Sequence, residues 1–261
     1  MKNSNEYGEL LEPYFKEGSL PPDVKIFRTK TGGLNNNLFL KSENDPEIYV
    51  LRTPLETALR KETEDHIFQE YTSIGLKNGG WRFRKIPEQA EDIGCWISLG
   101  FPVVLPISHT ESSMLYPLLS APTYKDSLMA GDLSANSALL DNYFSVIMDA
   151  HKKNVVFGDR WGPNEFVSDK GILLHDFDTK LLSEDRKDFE LSQIIYYSVH
   201  NAVSCRGEVV QFIKKLLDDR KASQEYNLDI VSQFLAGHIS FFRGMPDGGI
   251  EEEISSLIDS L

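Results

Sequence analysis

Three features of the sequence predict an α+β fold in two lobes, a small antiparallel sheet followed by a helical region. Short β-branched and aromatic runs, separated by turn residues, fill positions 24–52. Helical periodicity is almost unbroken after Asp188. Between them the two parts join near Ser120 to Asp126, and from Ser134 onward the character of the chain changes. The expected division is therefore an N-terminal lobe over residues 1–119 and a C-terminal lobe over residues 120–261.

The elements follow in order. Glu6 to Lys16 has the pattern of a short helix, ended by the turn residues Gly18 to Pro22. Val24 to Thr29 and Asn37 to Lys41 read as strands, with Gly32 and Gly33 between them. The turn Ser42 to Pro46 leads to a third strand, Ile48 to Arg52. Thr53-Pro54-Leu55-Glu56 is a helix-start signature: a Thr cap, Pro at the first helical position, Glu three residues after the cap. It predicts a helix to about Ser73, with Ile67, Phe68, Tyr71 and Ile74 on one face. Short strands are expected within residues 81–119, including Cys95 to Leu99 and Ser113 to Leu119. Leu139 to Lys152 predicts a helix. Further helices are predicted over Phe189 to Val203, Gly207 to Asp219, Leu228 to Phe242 and Ile250 to Leu261.

A chain of 261 residues that is 41% hydrophobic and 26% charged has the balance of a soluble globular protein with a full core. Its two cysteines, Cys95 and Cys205, are too far apart for a CxxC pair, which points to a reducing compartment. Met1 to Glu6 carries no apolar signal core and no apolar run reaches membrane-spanning length, so a cytoplasmic protein without a membrane partner is expected. The net charge of −13 argues against nucleic acid as a partner. It is compatible with a cationic small molecule drawn to an acidic cleft, though solubility is the plainer reading of such a charge.

The chemistry concentrates between His151 and Asp178. Val155-Val156-Phe157 reads as an apolar strand, followed by Gly158-Asp159, then Asn164, then a hairpin. The apolar run Ile172-Leu173-Leu174 leads to His175-Asp176-Phe177-Asp178. Phosphoryl transfer from a nucleotide needs such a set: one carboxylate to orient a hydroxyl and take its proton, and hard oxygen donors to hold metal ions on the phosphates. Short strands on either side of a tight loop would fix all three groups on rigid backbone.

On these residues the sequence resembles the protein-kinase-like superfamily, and within it the aminoglycoside-phosphotransferase and choline-kinase-like branch. The resemblance implies a bilobal protein-kinase-like fold, ATP and Mg2+ as cofactors, Asp159 as the catalytic base, and Asn164 and Asp176 as metal ligands. His151 matches the His that ends the helix before the catalytic loop. Thr31 to Asn37 resembles a phosphate-cradling loop, in which Gly32 and Gly33 would bind cofactor; a plain hairpin is the other reading. Tyr49-Val50-Leu51-Arg52 resembles the strand that carries the ATP-binding cation, here Arg52. Glu64, with Glu62 as the fallback, would orient it. Leu118, Leu119, Ser120 and Ala121 would form the adenine-reading hinge, with Leu119 and Ala121 contacting cofactor.

The chain departs from the pattern in three places. Phe157 stands where most relatives have a His that braces the catalytic loop. Arg52 replaces the usual Lys, and the two cations bind phosphate differently. Trp161 occupies the position of a protein-kinase Lys, which argues against a protein kinase. Arg160 and Trp161 are candidates for substrate contact, with a solvent-facing Arg as the plain reading of residue 160. Asp178 is a candidate second metal or substrate ligand, or simply a turn cap. Tyr196, Tyr197 and Phe242 are either part of a substrate wall or core. His66, His109, His200 and His238 lack metal-ligand spacing. The expected activity is ATP- and Mg2+-dependent phosphotransfer to a hydroxyl of an amino alcohol, aminoglycoside or sugar. The alternatives are a nucleotide-binding interaction protein without transfer, and AMP transfer on the same fold.

Overall fold

The computed structural model describes residues 8–32, 34–44, 46–55, 57–77, 79–131, 133–220, 222–243 and 250–261. They group into two compact units. The first comprises residues 1–65, 85–95 and 104–120, and the second residues 66–84, 96–103 and 121–261.

The first unit is built on a five-stranded sheet. It contains α1 (Gly8–Lys16), β1 (Lys25–Gly32), β2 (Asn35–Lys41), β3 (Ile48–Pro54), β5 (Ser108–His109) and β6 (Met114–Pro117). The strand order is β1-β2-β3-β6-β5, and every pairing is antiparallel. The alternation of side chains puts Leu38 and Leu40 of β2 and Tyr49 and Leu51 of β3 on one face. They pack there with Leu11, Tyr14 and Leu115 as the core of this unit. Tyr14 resolves its buried hydroxyl against Ser113 Oγ at 2.8 Å.

Helix α2 (Thr57–Ile74) follows β3. The helix start expected at Thr53-Pro54 is displaced. Thr53 and Pro54 instead extend β3, opposite Asn36 and Asn35, and Pro54 sits on the last rung, where a missing N–H costs least. Glu56 of that signature lies outside the described residues. The strand expected at Cys95 to Leu99 is also corrected, because α3 runs Ile86–Ser98. Pro87 and Glu88 suit a first helical turn. Ile86, Gln89, Ile93 and Trp96 are buried at helical spacing, so the periodicity overrides the strand preference of the Cys-Trp-Ile stretch.

The second unit is mainly helical, as predicted. It holds β4 (Trp81–Phe83), α4 (Tyr124–Ala130), α5 (Leu133–Lys152), β7 (Glu165–Ser168), β8 (Gly171–Leu174), β9 (Thr179–Leu181), α6 (Arg186–Asn201), α7 (Arg206–Asp219), α8 (Leu228–Phe242) and α9 (Glu251–Ile258). No strand forms at Val155 to Phe157, and the chain there is irregular. β7 and β8 make the expected hairpin. β4 pairs with β9, which the sequence did not suggest. Tyr71, Ile74, Leu76, Leu181, Phe189 and Phe234 form one of its buried clusters. Among the described residues no helix is long and apolar enough to cross a membrane.

Candidate active site

Helix α5 ends at His151 and Lys152, and residues 153–164 form the loop that carries Asp159 and Asn164. Deep anchors hold this loop. His151 is buried and its Nε2 donates to Glu190 Oε2 at 2.7 Å, while its Nδ1 lies 2.7 Å from the Tyr226 hydroxyl. The second oxygen of Glu190 accepts from the Gly158 amide at 2.6 Å. One buried carboxylate on α6 thus ties the end of α5 to the residue before Asp159. Burial without such partners would be costly.

Arg160 corrects an expectation. It is fully buried rather than solvent-facing. Its Nη1 lies 3.2 Å from Glu165 Oε1, its Nη2 donates to Asp176 O at 2.5 Å, and its guanidinium stacks over Phe177 at 5.1 Å. The other oxygen of Glu165 accepts from the Gly162 amide at 2.8 Å. Trp161, between these anchored residues, is exposed.

The three proposed reacting groups come together in the second unit. Asn164 Nδ2 donates to Asp159 O at 2.9 Å, and its backbone carbonyl accepts from His175 N at 2.8 Å, one residue before Asp176. With its nitrogen engaged, the Asn164 carboxamide has its oxygen left as the atom that could coordinate a metal. Asp176 adopts a left-handed conformation with φ of 59°, a strained state for a residue with a Cβ and one found at functional loops. Asn164 and Asp176 supply hard oxygen donors of the kind Mg2+ takes while keeping waters and phosphate oxygens as its other ligands. Among the described residues no three His, Cys, Asp or Glu side chains gather as a metal cage, so an ion here would depend on such shared coordination.

Asp159 Oδ1 accepts from the Tyr71 hydroxyl at 2.9 Å and from Gln193 Nε2 at 3.3 Å. Among the described residues nothing donates to Oδ2. Burial pushes the Asp159 carboxyl up to about 6 and nearby Asp176 adds to this, while the Tyr71 hydroxyl and Arg160 hold it down. Glu70, one residue before Tyr71, accepts from the Tyr197 hydroxyl at 3.3 Å. Its carboxyl is pushed up to about 7, first by burial and then by the Asp159 charge. No cation pairs with Glu70 among the described residues. Tyr197 belongs to an aromatic group with Tyr196, His238 and Phe242, whose rings lie 4.8–6.4 Å apart. Asp178 is partly buried, and its backbone carbonyl accepts from Arg84 N at 2.6 Å.

Phe157 is fully buried. It meets Trp96 edge-on at 4.9 Å and Phe101 at 5.6 Å, and Trp96 in turn meets Phe177 at 4.8 Å. Aromatic packing thus occupies the place where the resemblance expects a hydrogen-bonding His.

Of the cofactor candidates, Gly32, Arg52, Glu64 and Leu119 belong to the first unit and Ala121 to the second. Arg52 is buried in β3, opposite Asn37 and Met114. Its expected pairing with Glu64 is not formed. Glu64 lies one helical turn from Arg60 and accepts from Arg60 Nε at 2.7 Å, the favoured local geometry; Glu62 is exposed. Gly32 closes β1 opposite Asn35, and a Cβ there would meet nothing within 4 Å. Gly33 lies outside the described residues. Leu119 and Ala121 sit in the irregular segment before α4, beginning where Leu118 N donates to Ile48 O.

Sequence reasoning missed Glu190, Arg84, Tyr71, Gln193 and Glu70. A carboxylate inside the apolar run Phe189-Glu190-Leu191 was a usable signal for the first. The others become site residues only through folding.

No protein-family model and no curated protein sequence matches the chain. Solved structures do. The PknI kinase domain of Mycobacterium tuberculosis is similar at 8% identity and a TM-score of 0.45, over 92% of this chain and 96% of that one. The Rio2 kinase of Chaetomium thermophilum, solved as an ADP/Mg2+-phosphoaspartate complex, is 14% identical with a TM-score of 0.46, over 100% of this chain and 81% of that one. The PK-1 kinase of Cydia pomonella granulovirus is 10% identical with a TM-score of 0.46, over 73% of each chain. Each of these proteins is a kinase. At this distance, what the site of the present chain can do is set by its own residues.

Proposed function

We propose that the chain is an ATP- and Mg2+-dependent phosphotransferase acting on a hydroxyl of a small molecule. The observation that carries this reading is the linked placement of three groups. Asn164 is hydrogen-bonded to the backbone of Asp159, and Arg160, the next residue, is hydrogen-bonded to the backbone of Asp176. Asp159 is the base. With Oδ1 held by Tyr71 and Gln193, Oδ2 is the oxygen that orients the acceptor hydroxyl and takes its proton. A carboxyl near 6 is ionised at neutral pH yet basic enough to accept that proton. Asn164 and Asp176 would hold the metal, which supplies charge neutralisation between the phosphates when bound. Arg52 is the cation proposed for the α- and β-phosphates, with Gly32, Leu119 and Ala121 as further nucleotide contacts.

Glu70 supports an amino-bearing acceptor, an amino alcohol or aminoglycoside rather than a neutral sugar. A half-buried carboxylate without a cation of its own among the described residues, close to the proposed base, would be satisfied by an ammonium group on the substrate. A nucleotide-binding role without transfer is the second reading, favoured by the two hydrogen bonds that Asp159 Oδ1 already accepts.

Thermal-shift and turnover measurements on Asp159→Asn and Asp176→Asn separate the two. Asp176→Asn is expected to lose Mg2+-dependent nucleotide stabilisation, and Asp159→Asn to keep it while losing turnover. Turnover that survives in both variants refutes the assigned site. ATP labelled on the γ or the α phosphate distinguishes phosphate transfer from AMP transfer.

A further inference from the structure

Arg84 follows β4 and is buried, yet it is remote in sequence from every residue of the catalytic and metal loops. Its hydrogen bonds fall on both. Nη1 donates to Phe157 O at 3.1 Å, two residues before Asp159. The two N–H groups of that nitrogen are shared with Phe177 O at 3.0 Å and Thr179 O, and the Arg84 amide donates to Asp178 O at 2.6 Å. Three consecutive carbonyls after Asp176 are therefore gripped by one residue, which also holds the irregular segment entering Asp159. The guanidinium lies over the Trp96 ring at 5.3 Å, and Trp96 packs on both Phe157 and Phe177. The backbones are also in near contact here: a Cβ on Gly158 would stand 2.1 Å from Thr179 O and 3.5 Å from Arg84 Nη1.

We propose that Arg84 is a positioning residue that sets the spacing between the base loop and the metal loop, a task the apolar Phe157 side chain cannot perform by hydrogen bonding. The inference rests on the phosphotransferase reading above. Phe157 and Phe177 fill the space between the loops but, being rings on rings, leave their register to slide. Directional hydrogen bonds from a planar, permanently charged donor fix that register. Arg84 touches neither acceptor nor nucleotide in this role. It acts through the backbone that carries Asp159 and Asp176.

The test uses the full chain, with nucleotide binding followed by thermal shift while Mg2+ is titrated. Arg84→Met keeps the bulk against Trp96 and removes the donors. It is expected to need about 10–100-fold more Mg2+ for half-maximal stabilisation by ATP, as changes behind a metal ligand commonly do. Arg84→Lys, whose ammonium can reach some of the same carbonyls, should lie between. Arg82→Met, exposed on β4, should keep the wild-type midpoint. An Arg84→Met protein with the wild-type Mg2+ midpoint overturns the proposal even if its melting temperature falls, since that marks a purely structural residue. Should Arg84→Met fail to fold, a wild-type midpoint in Arg84→Lys overturns it. A wild-type chain with no Mg2+-dependent nucleotide stabilisation instead removes the phosphotransferase reading on which the proposal rests.

Discussion

Replacing Gly158 by Ala probes the closest approach in the site. Gly158 has φ of 114°, a region where a Cβ is strained. The added methyl would stand 2.1 Å from Thr179 O, where real Cβ atoms do not come under 3.0 Å, so the two backbones must part by about 0.9 Å. The obstacle is backbone, pinned by Arg84, and no flexible side chain can yield. The conformational strain alone costs ~1–3 kcal/mol. For a chain of this size that lowers the melting temperature by roughly 2–4 °C per kcal/mol. A displacement near 1 Å between base and metal loops costs on the order of 100-fold in turnover. Differential scanning calorimetry with single-turnover kinetics reads both. Gly94→Ala in α3 is the control: its Cβ meets nothing within 4 Å, and removing a helical glycine should stabilise by about 0.5–1 kcal/mol. A Gly158→Ala protein that melts and turns over as wild type would refute the reasoning.

Three further outcomes are expected. Phe157→Ala empties a fully buried ring site and should destabilise by about 3–5 kcal/mol in urea unfolding. The acid limb of kcat/KM should fall near pH 6: below that value Asp159 carries a proton and cannot accept another, so the rate drops about tenfold per pH unit, and a limb near pH 4 would contradict the role proposed for Asp159. Glu70→Gln should lower kcat/KM for amino-bearing acceptors while ATP-dependent stabilisation is unchanged; equal losses for neutral and cationic acceptors would remove Glu70 from the acceptor site.

The residues that speak through local pattern were legible in advance. Asp159, Asn164 and Asp176 stand on a loop and a strand end whose order the sequence displays, and the hairpin between them forms as expected. Helix α8 has its predicted bounds because apolar spacing and the Asn227 cap act locally. The stretch around Cys95 was misread because a Cys-Trp-Ile run satisfies strand preference over a few residues, whereas burial at Ile86, Gln89, Ile93 and Trp96 needs the longer window. Arg160 and Arg84 were beyond reach in principle. Whether an arginine meets solvent or a set of carbonyls depends on partners that the chain supplies up to 95 positions away.

The sequence alone specified an antiparallel sheet followed by helices, and it offered two carboxylates and a carboxamide as candidates for phosphate chemistry, since periodicity and functional groups are properties of the chain itself. Only the tertiary structure decided which groups hold those residues in place: Glu190 on the Gly158 amide, Tyr71 on Asp159, Arg84 across both loops. Hydrogen bonds and burial are relations between distant segments, and they acquire direction and strength only when folding brings donor and acceptor within about 3 Å.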